Sequence, residues 1–88
     1  MIIAAAVKFY IEKTNQEVIL CGLRHDSPFK QLAALGFEPK KGYRELEQGF
    51  LTTDGEFLNR EQAYYHAVEY KQVEPDDGPA WLISEMLW

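Results

Sequence analysis

Arg24 and His25 are the side chains of this 88-residue sequence that are best suited to binding an anion. They follow the apolar run 18–23 and precede Ser27-Pro28, a pair that predicts a helix start with serine as N-cap and proline at the first helical position. An arginine offers paired N–H donors and a helix N-terminus offers free backbone N–H groups, so together they can hold a phosphate. The alternative is an exposed loop arginine beside a histidine whose hydrogen bonds are satisfied within the fold.

A second candidate stretch contains Phe50, Thr52 and Asn59, which could contact a nucleotide. Phe50 can stack on a base, the side-chain amide of Asn59 can hydrogen-bond to ribose or base, and Thr52 lies in the same stretch. The alternative is structural, with Phe50 in the core of the sheet and Asn59 as the N-cap of a helix, in a capping box with Gln62. The residue types leave both interpretations open.

The other reactive side chains form no recognisable catalytic or metal-binding motif. Cys21 is the only cysteine, and the two histidines, His25 and His66, are far apart in the sequence. A zinc site needs further ligands at suitable spacing, and a reactive thiol needs an exposed, electropositive setting. The glycines match neither a dinucleotide-binding fingerprint nor a phosphate-binding loop, and no carboxylate pair stands out. We therefore expect no catalytic residue, no metal and no cofactor, and a binding protein rather than an enzyme.

Charge is distributed unevenly along the chain, which has a net charge of −5. Residues 1–44 contain seven Lys/Arg and four Asp/Glu, whereas residues 45–88 contain two and ten. Such an acidic second half disfavours duplex DNA and anionic membranes as partners, although the first half can still hold a small anion. No apolar run approaches the ~20 residues of a membrane span. A single cysteine cannot form an internal disulfide, which fits a reducing compartment.

The hydrophobic pattern predicts one α+β domain covering residues 1–88, with an antiparallel sheet and two helices in the order β-β-α-β-β-α-(β). Gly36 followed by Phe37 predicts a Schellman ending for the first helix, and Asp54-Gly55 predicts a two-residue hairpin turn. The apolar tail 80–88 is expected to dock as a short strand or turn. The predicted segments are strands at 2–11 and 18–23, a helix from Ser27 to Gly36, a loop at 38–48, a hairpin at 49–58, a helix from Asn59 to about Lys71, and a loop at 74–79.

Four stretches of the sequence resemble the motifs of a family of small bacteriophage proteins. They are I-I-A-A-A-V-K, C-G-L-R-H-D, Q-G-F-L-T-T-D-G-E-F-L-N-R-E-Q-A and the closing L-I-S-E-M-L-W, and together they extend over nearly the whole chain. The family looks like the phage anti-Thoeris sponge proteins, which bind a cyclic ADP-ribose isomer made by host TIR-domain immune enzymes and hold it without cleaving it. Some relatives also bind cyclic oligonucleotides of CBASS immunity. The resemblance implies a homo-oligomer in the host cell cytoplasm, with ligand sites at subunit interfaces.

The resemblance also implies roles for individual positions. The arginine that would grip phosphate falls at Arg24, the phenylalanine that would stack on adenine at Phe50, and the polar residue that would contact ribose at Asn59. A further arginine is expected just before the final apolar tail, but this sequence has Ala80-Trp81 there. Trp81 could replace the stacking surface of that arginine but not its charge. The candidate ligand-binding residues are Arg24, His25, Phe50, Thr52, Asn59 and Trp81.

Two functions of different classes follow as alternatives. The first is a phage anti-defence protein that sequesters a cyclic nucleotide immune signal as its small-molecule partner. The second is an acidic protein-interaction module that inhibits a host protein by mimicking a polyanion. The acidic side chains that would do so are Glu45, Glu47, Asp54, Glu56 and Glu61. A hydrolase of such nucleotides has the least support, because no general acid or base can be nominated.

Overall fold

The computed structural model describes residues 1–38, 41–75 and 80–87, and it has the predicted α+β fold. The elements in chain order are β1 (Ile2–Ile11), β2 (Gln16–Gly22), α1 (Ser27–Ala34), β3 (Tyr43–Thr52), β4 (Phe57–Asn59), α2 (Arg60–Glu69) and a 3-10 turn at Ser84–Met86. The four strands form one antiparallel sheet in the order β2-β1-β3-β4. Parts of the predicted loops, at 39–40 and 76–79, and the last residue of the tail lie outside the described residues.

The sheet is built around β1, which pairs with β2 on one side and with β3 on the other. Side chains alternate along a strand, so Val7 and Phe9 share one face, and Leu32 of α1 packs against them. Nearer the start of the strand, Ala5 lies opposite Phe50, and α2 and the tail cover this pair. This second cluster also contains Ile2, Leu58, Ala63, Tyr64, Ala67 and Leu82. Both helices therefore pack on the same face of the sheet.

β3 begins much earlier than the sequence predicts. Residues 38–48 are predicted as a loop, but Tyr43 already pairs with Ile11 at the far end of β1. The ring of Tyr43 contacts the ring of Phe9 edge to face, with 5.6 Å between centroids, so one partly buried aromatic of this segment packs against the core. The loop prediction is wrong from residue 43 onward because β1 is long enough to provide backbone hydrogen-bonding partners for the whole segment.

The end of α1 confirms the predicted Schellman motif. The N–H of Phe37 donates to the carbonyl of Leu32 at 3.0 Å, and Gly36 takes the required positive φ of 98°. The predicted start is wrong by one residue, because Asp26 rather than Ser27 is the N-cap, and its side chain makes no capping hydrogen bond. The Ser27 side chain instead packs closely against the backbone of Gly22, where a Cβ would clash with it.

The hairpin between β3 and β4 has a three-residue loop rather than the predicted two-residue turn. The Thr52 N–H donates to the carbonyl of Glu56 at 3.0 Å, which leaves residues 53–55 as the loop. Of these three, only Gly55 has a positive φ, at 79°, so the chain turns without the paired positive values that a two-residue turn requires.

The start of α2 confirms the predicted capping box. The side-chain oxygen of Asn59 accepts from the N–H of Gln62 at 2.8 Å, and the N–H of Asn59 donates to Oε1 of Gln62 at 3.0 Å. The helix ends at Glu69, close to the predicted end, and Lys71 then adopts a left-handed conformation with φ 59°. The tail docks as expected, in a 3-10 turn rather than a strand, with Leu82 fully buried.

Replacing Gly49 with alanine is expected to lower the free energy of unfolding by about 1–3 kcal/mol, the usual cost of overpacking. A Cβ on this residue would collide with the backbone carbonyl of Leu58 in β4 and would lie 2.7 Å from Cζ of Phe57. Urea denaturation measures the loss. Glu47→Ala, at an exposed position of the same strand, is the control and should change stability little. Equal stability of Gly49→Ala and the wild type would contradict the packing of β4 on β3 described here.

Candidate functional site

Two open clefts meet at Arg60, the first residue of α2, which lines both of them. The first, here named the tail cleft, has a volume of about 510 Å³, and the second, the tryptophan cleft, about 650 Å³. The polar side chains of the tail cleft are Arg24, His25, Asp26, Arg60, Ser84 and Glu85. The tryptophan cleft contains the ring of Trp81 together with Glu45, Glu47, Gln48, Asn59 and Glu61.

The connection between β2 and α1 carries Arg24 and His25 to the wall of the tail cleft. The sequence prediction that these two side chains share one site is therefore consistent with their positions. The helix N-terminus offers fewer backbone donors than the sequence predicts. The N–H of Ser27 donates to the Arg24 carbonyl at 3.1 Å, and Pro28 has no N–H. The first two residues of α1 therefore have no backbone donor left for a ligand.

His25 is fixed by contacts with β3. Its Nε2 atom lies 2.8 Å from the carbonyl oxygen of Gly49, and its ring contacts Phe50 edge to face at 5.0 Å between centroids. A carbonyl only accepts, so Nε2 carries the proton and the Nδ1 atom of the neutral ring is an acceptor. Burial lowers the pKa of His25 below its usual value, and the positive charge of Arg60 lowers it further. The hydrogen bond to Gly49 and the carboxylates of Glu85 and Glu45 act in the opposite direction.

We expect the lowered pKa of His25 to make the fold less stable in mild acid. The unfolded chain binds a proton at His25 more readily than the folded chain does, so the neutral ring contributes stability above the ordinary pKa of 6.5. That contribution is lost progressively as the pH falls below this value. Urea denaturation at pH 7.5 and pH 5.5 (about one unit either side of the ordinary histidine pKa) measures the change. His25→Gln, which cannot titrate, should lose less stability between the two pH values. An equal loss of stability in both proteins would show that His25 is not the cause.

Arg60 is the site residue that the sequence interpretation missed. Its guanidinium donates through Nη1 to the Leu82 carbonyl at 3.2 Å and through Nη2 to the side-chain oxygen of Gln48. It also lies over the ring of Trp81, 5.7 Å from the ring centroid. Arg60 thus connects α2, β3 and the tail at the boundary of the two clefts. Its position directly after the Asn59 N-cap was the available indication, since a first-turn side chain points back toward the preceding strand.

Trp81 and Asn59, two of the residues predicted to contact a ligand, both line the tryptophan cleft. The Trp81 side chain is 55% exposed, although the next residue, Leu82, is fully buried. One face of the ring is occupied by Arg60, and a planar group could reach the exposed part. The capping box uses the Oδ1 atom of Asn59, so only its Nδ2 amide is left to donate to a ligand.

The structure does not bring Phe50 or Thr52 to the surface of either cleft. Phe50 is 0% exposed and belongs to the core cluster beneath α2, so its ring has no face on which a base could stack. Thr52 is 2% exposed, and its hydroxyl oxygen accepts from the N–H groups of Asp54 and Glu56 at 3.2 Å each. Contrary to expectation, Phe50 is a core residue and lines neither cleft. Thr52 stabilises the hairpin turn and lines neither cleft.

Comparison with protein families matches residues 1–88 to the family described as Phage T4 y16D protein. The chain belongs to this family. It is therefore a bacteriophage protein, as expected from the sequence. Neither the curated proteins nor the solved structures include a match to the chain.

The two clefts of this y16D family member differ in what they can bind. The tail cleft combines two guanidinium groups, which are donors suited to an anion, with a half-buried imidazole that offers an acceptor. The tryptophan cleft combines an exposed indole with amide and carboxylate groups. Within the three described ranges, no three His, Cys, Asp or Glu side chains lie close enough to hold a metal ion. No helix in the same ranges is long and apolar enough to cross a membrane.

Proposed function

We propose that this phage protein is an anti-defence protein that binds a cyclic nucleotide immune signal of the host and holds it without cleaving it. The ligand would be a cyclic ADP-ribose isomer or a cyclic oligonucleotide. The observation that carries the proposal is the position of Arg60, between a cleft with a second arginine and a cleft with an exposed tryptophan. A nucleotide presents a phosphate and a base close together, and it needs these two kinds of surface side by side.

The phosphate end of the ligand would lie in the tail cleft. Arg24 and Arg60 would donate guanidinium N–H groups to phosphate oxygens, and their positive charges would attract a pyrophosphate. The Nδ1 atom of neutral His25 would accept from a ribose hydroxyl, because its Nε2 proton is committed to Gly49. Guanidinium donors beside an imidazole acceptor suit a ribose phosphate, which has both phosphate oxygens and hydroxyl groups, better than they suit an inorganic anion.

The base would stack on Trp81 in the tryptophan cleft, with the Nδ2 amide of Asn59 donating to the base or ribose. Stacking of a base on an aromatic side chain is worth about 1–3 kcal/mol. Phe50, the residue expected to stack, is in the core, and Trp81 offers the exposed ring instead. The family pattern has an arginine just before the tail, where this chain has Ala80-Trp81. Arg60 lies against the Trp81 ring and would supply the positive charge in its place.

Sequestration depends on tight binding and needs no turnover, so the proposed function requires no general acid, general base or metal. We include in the proposal that the protein acts in the host cytoplasm as a homo-oligomer. An 88-residue chain buries a limited core on its own, and association would bury more apolar surface. Sedimentation equilibrium with and without ligand tests this part of the proposal.

Isothermal titration with a panel of cyclic ADP-ribose isomers and cyclic di- and trinucleotides tests the function. We expect heat of binding with at least one member. The bound compound should be recovered unchanged after the protein is denatured by heat. Absence of heat with every member, using protein whose circular dichroism shows it to be folded, would remove the proposal. Recovery of a cleaved product would replace sequestration with hydrolysis.

A second candidate function rests on the acidic rim of the tryptophan cleft. Glu45, Glu47 and Glu61 line the same cleft as Trp81, an arrangement that could receive a basic side chain of a host protein. Replacing these three glutamates with lysine would abolish such an interaction, whereas Arg24→Ala would leave it intact. If the protein instead sequesters a nucleotide, Arg24→Ala should weaken nucleotide binding. Pull-down of a host protein and titration with nucleotide, each with both variants, therefore distinguish the two candidate functions.

A further inference from the structure

Glu85 places a carboxylate in the tail cleft, where a bound anion would meet its donors. Its Oε1 atom lies 3.8 Å from Nη1 of Arg24, and its Oε2 atom lies 3.5 Å from the hydroxyl oxygen of Ser84. Carboxylates and phosphates use the same guanidinium and hydroxyl donors. The carboxylate of Glu85 therefore marks the anion position of this cleft.

The contacts of Glu85 are loose. Both distances exceed those of a short charge-assisted hydrogen bond, and the Glu85 side chain is 69% exposed. An ion pair of this kind is worth little, because water competes for both partners. A phosphate with several oxygens can therefore displace it.

The main chain that carries Glu85 is well anchored. Leu82 is fully buried, its N–H donates to the Arg60 carbonyl at 3.1 Å, and its carbonyl accepts from the Arg60 guanidinium at 3.2 Å. Ser84, immediately before Glu85, is 2% exposed. Displacement of the carboxylate thus requires only rotation of the Glu85 side chain, while its backbone stays in place.

The other carboxylate of the tail cleft is arranged differently. Asp26 pairs with Lys30 at 3.2 Å, one turn along α1, and lies at the N-cap of that helix. Its charge is balanced within the α1 segment. Glu85, by contrast, forms an ion pair with Arg24, one of the two arginines that would hold phosphate.

We infer that Glu85 is a tethered competitor of the anionic ligand: it occupies the anion position formed by Arg24 and Ser84 in the free protein, and a ligand phosphate takes that position by displacing it. The identity of the physiological ligand rests on the proposed function, but the competition does not. Ser84 is thereby added to the residues that contact the anion. This internal contact lowers the affinity of the site for an anion.

Titration with inorganic pyrophosphate at constant ionic strength tests the inference. Glu85→Gln should tighten pyrophosphate binding by about twofold to fivefold, the range expected for removing an exposed ion pair. Asp26→Asn, which removes the same charge from the same cleft, should have a smaller effect. Glu17→Gln, on β2 and outside both clefts, should have none. In the wild type, the NMR signal of the Glu85 carboxyl carbon should shift as pyrophosphate binds.

The possible outcomes separate competition from other effects. Equal gains in pyrophosphate affinity for Glu85→Gln and Asp26→Asn would mean that only the net charge of the cleft matters, and this would overturn the inference. Weaker or unchanged binding by Glu85→Gln, or no pyrophosphate binding by either protein, would overturn it too. If pyrophosphate behaves as expected but no cyclic nucleotide binds, the proposed function fails and the competition stands. If cyclic nucleotides bind the wild type and Glu85→Gln equally, the competition fails and the function stands.

Discussion

Arg60→Ala is expected to weaken nucleotide binding by about tenfold to a hundredfold, because hydrogen bonds to a charged group contribute about 1.5–3 kcal/mol. The guanidinium lines both clefts, so its removal takes charge from the phosphate end and support from the ring of Trp81 at the base end. The substitution also removes hydrogen bonds to Leu82 and Gln48, so the tail should dock less firmly. Isothermal titration measures the affinity, and urea denaturation measures the accompanying loss of stability.

Arg44→Ala is the matched control for this prediction. Arg44 also lies over an aromatic ring, 4.9 Å from the centroid of Tyr10, but it belongs to β3 outside both clefts. It should bind nucleotide as the wild type does. Arg60→Lys keeps the charge without the paired donors and should give an intermediate affinity. Wild-type affinity in folded Arg60→Ala would show that the ligand does not bridge the two clefts.

The parts of the fold that the sequence predicts well are those fixed by neighbouring residues. The Schellman ending at Gly36 and the capping box of Asn59 and Gln62 each depend on hydrogen bonds spanning five residues or fewer. The early part of β3 could not be predicted in this way. Its pairing partner is β1, far away in sequence, and most of its side chains are exposed, so residues 43–48 carry little hydrophobic alternation.

The candidate site was predictable in part for a related reason. Arg24 and His25 are consecutive and lie at a strand–helix junction, so their shared location follows from the chain itself. Arg60 was missed because its main role depends on the tail, which returns more than twenty residues later to place Leu82 and Trp81 beside it. Only the tertiary packing of the tail against α2 reveals that a first-turn helix residue belongs to both clefts.

The role of Phe50 shows why a residue type alone does not decide between core and ligand site. A phenylalanine in this strand either stacks on a base or packs under the neighbouring helix, and the sequence is compatible with both. In the structure its ring is enclosed by the cluster beneath α2 and contacts the edge of His25. Substitutions at Phe50 and Trp81 therefore discriminate between the two possible stacking residues.

Phe50→Ala is expected to destabilise the fold by about 3–5 kcal/mol, the usual cost of truncating a buried phenylalanine, which is a large part of the stability of a small domain. Phe50→Leu keeps most of the buried apolar volume, so it should stay folded and bind nucleotide within about threefold of the wild type. Trp81→Ala should show the reverse pattern, with little loss of stability at its 55% exposed position and about fivefold or more weaker binding. If folded Phe50→Leu loses binding while Trp81→Ala keeps it, then Phe50 is the stacking residue, and the ligand enters the protein by displacing α2 or the tail rather than by occupying the two clefts.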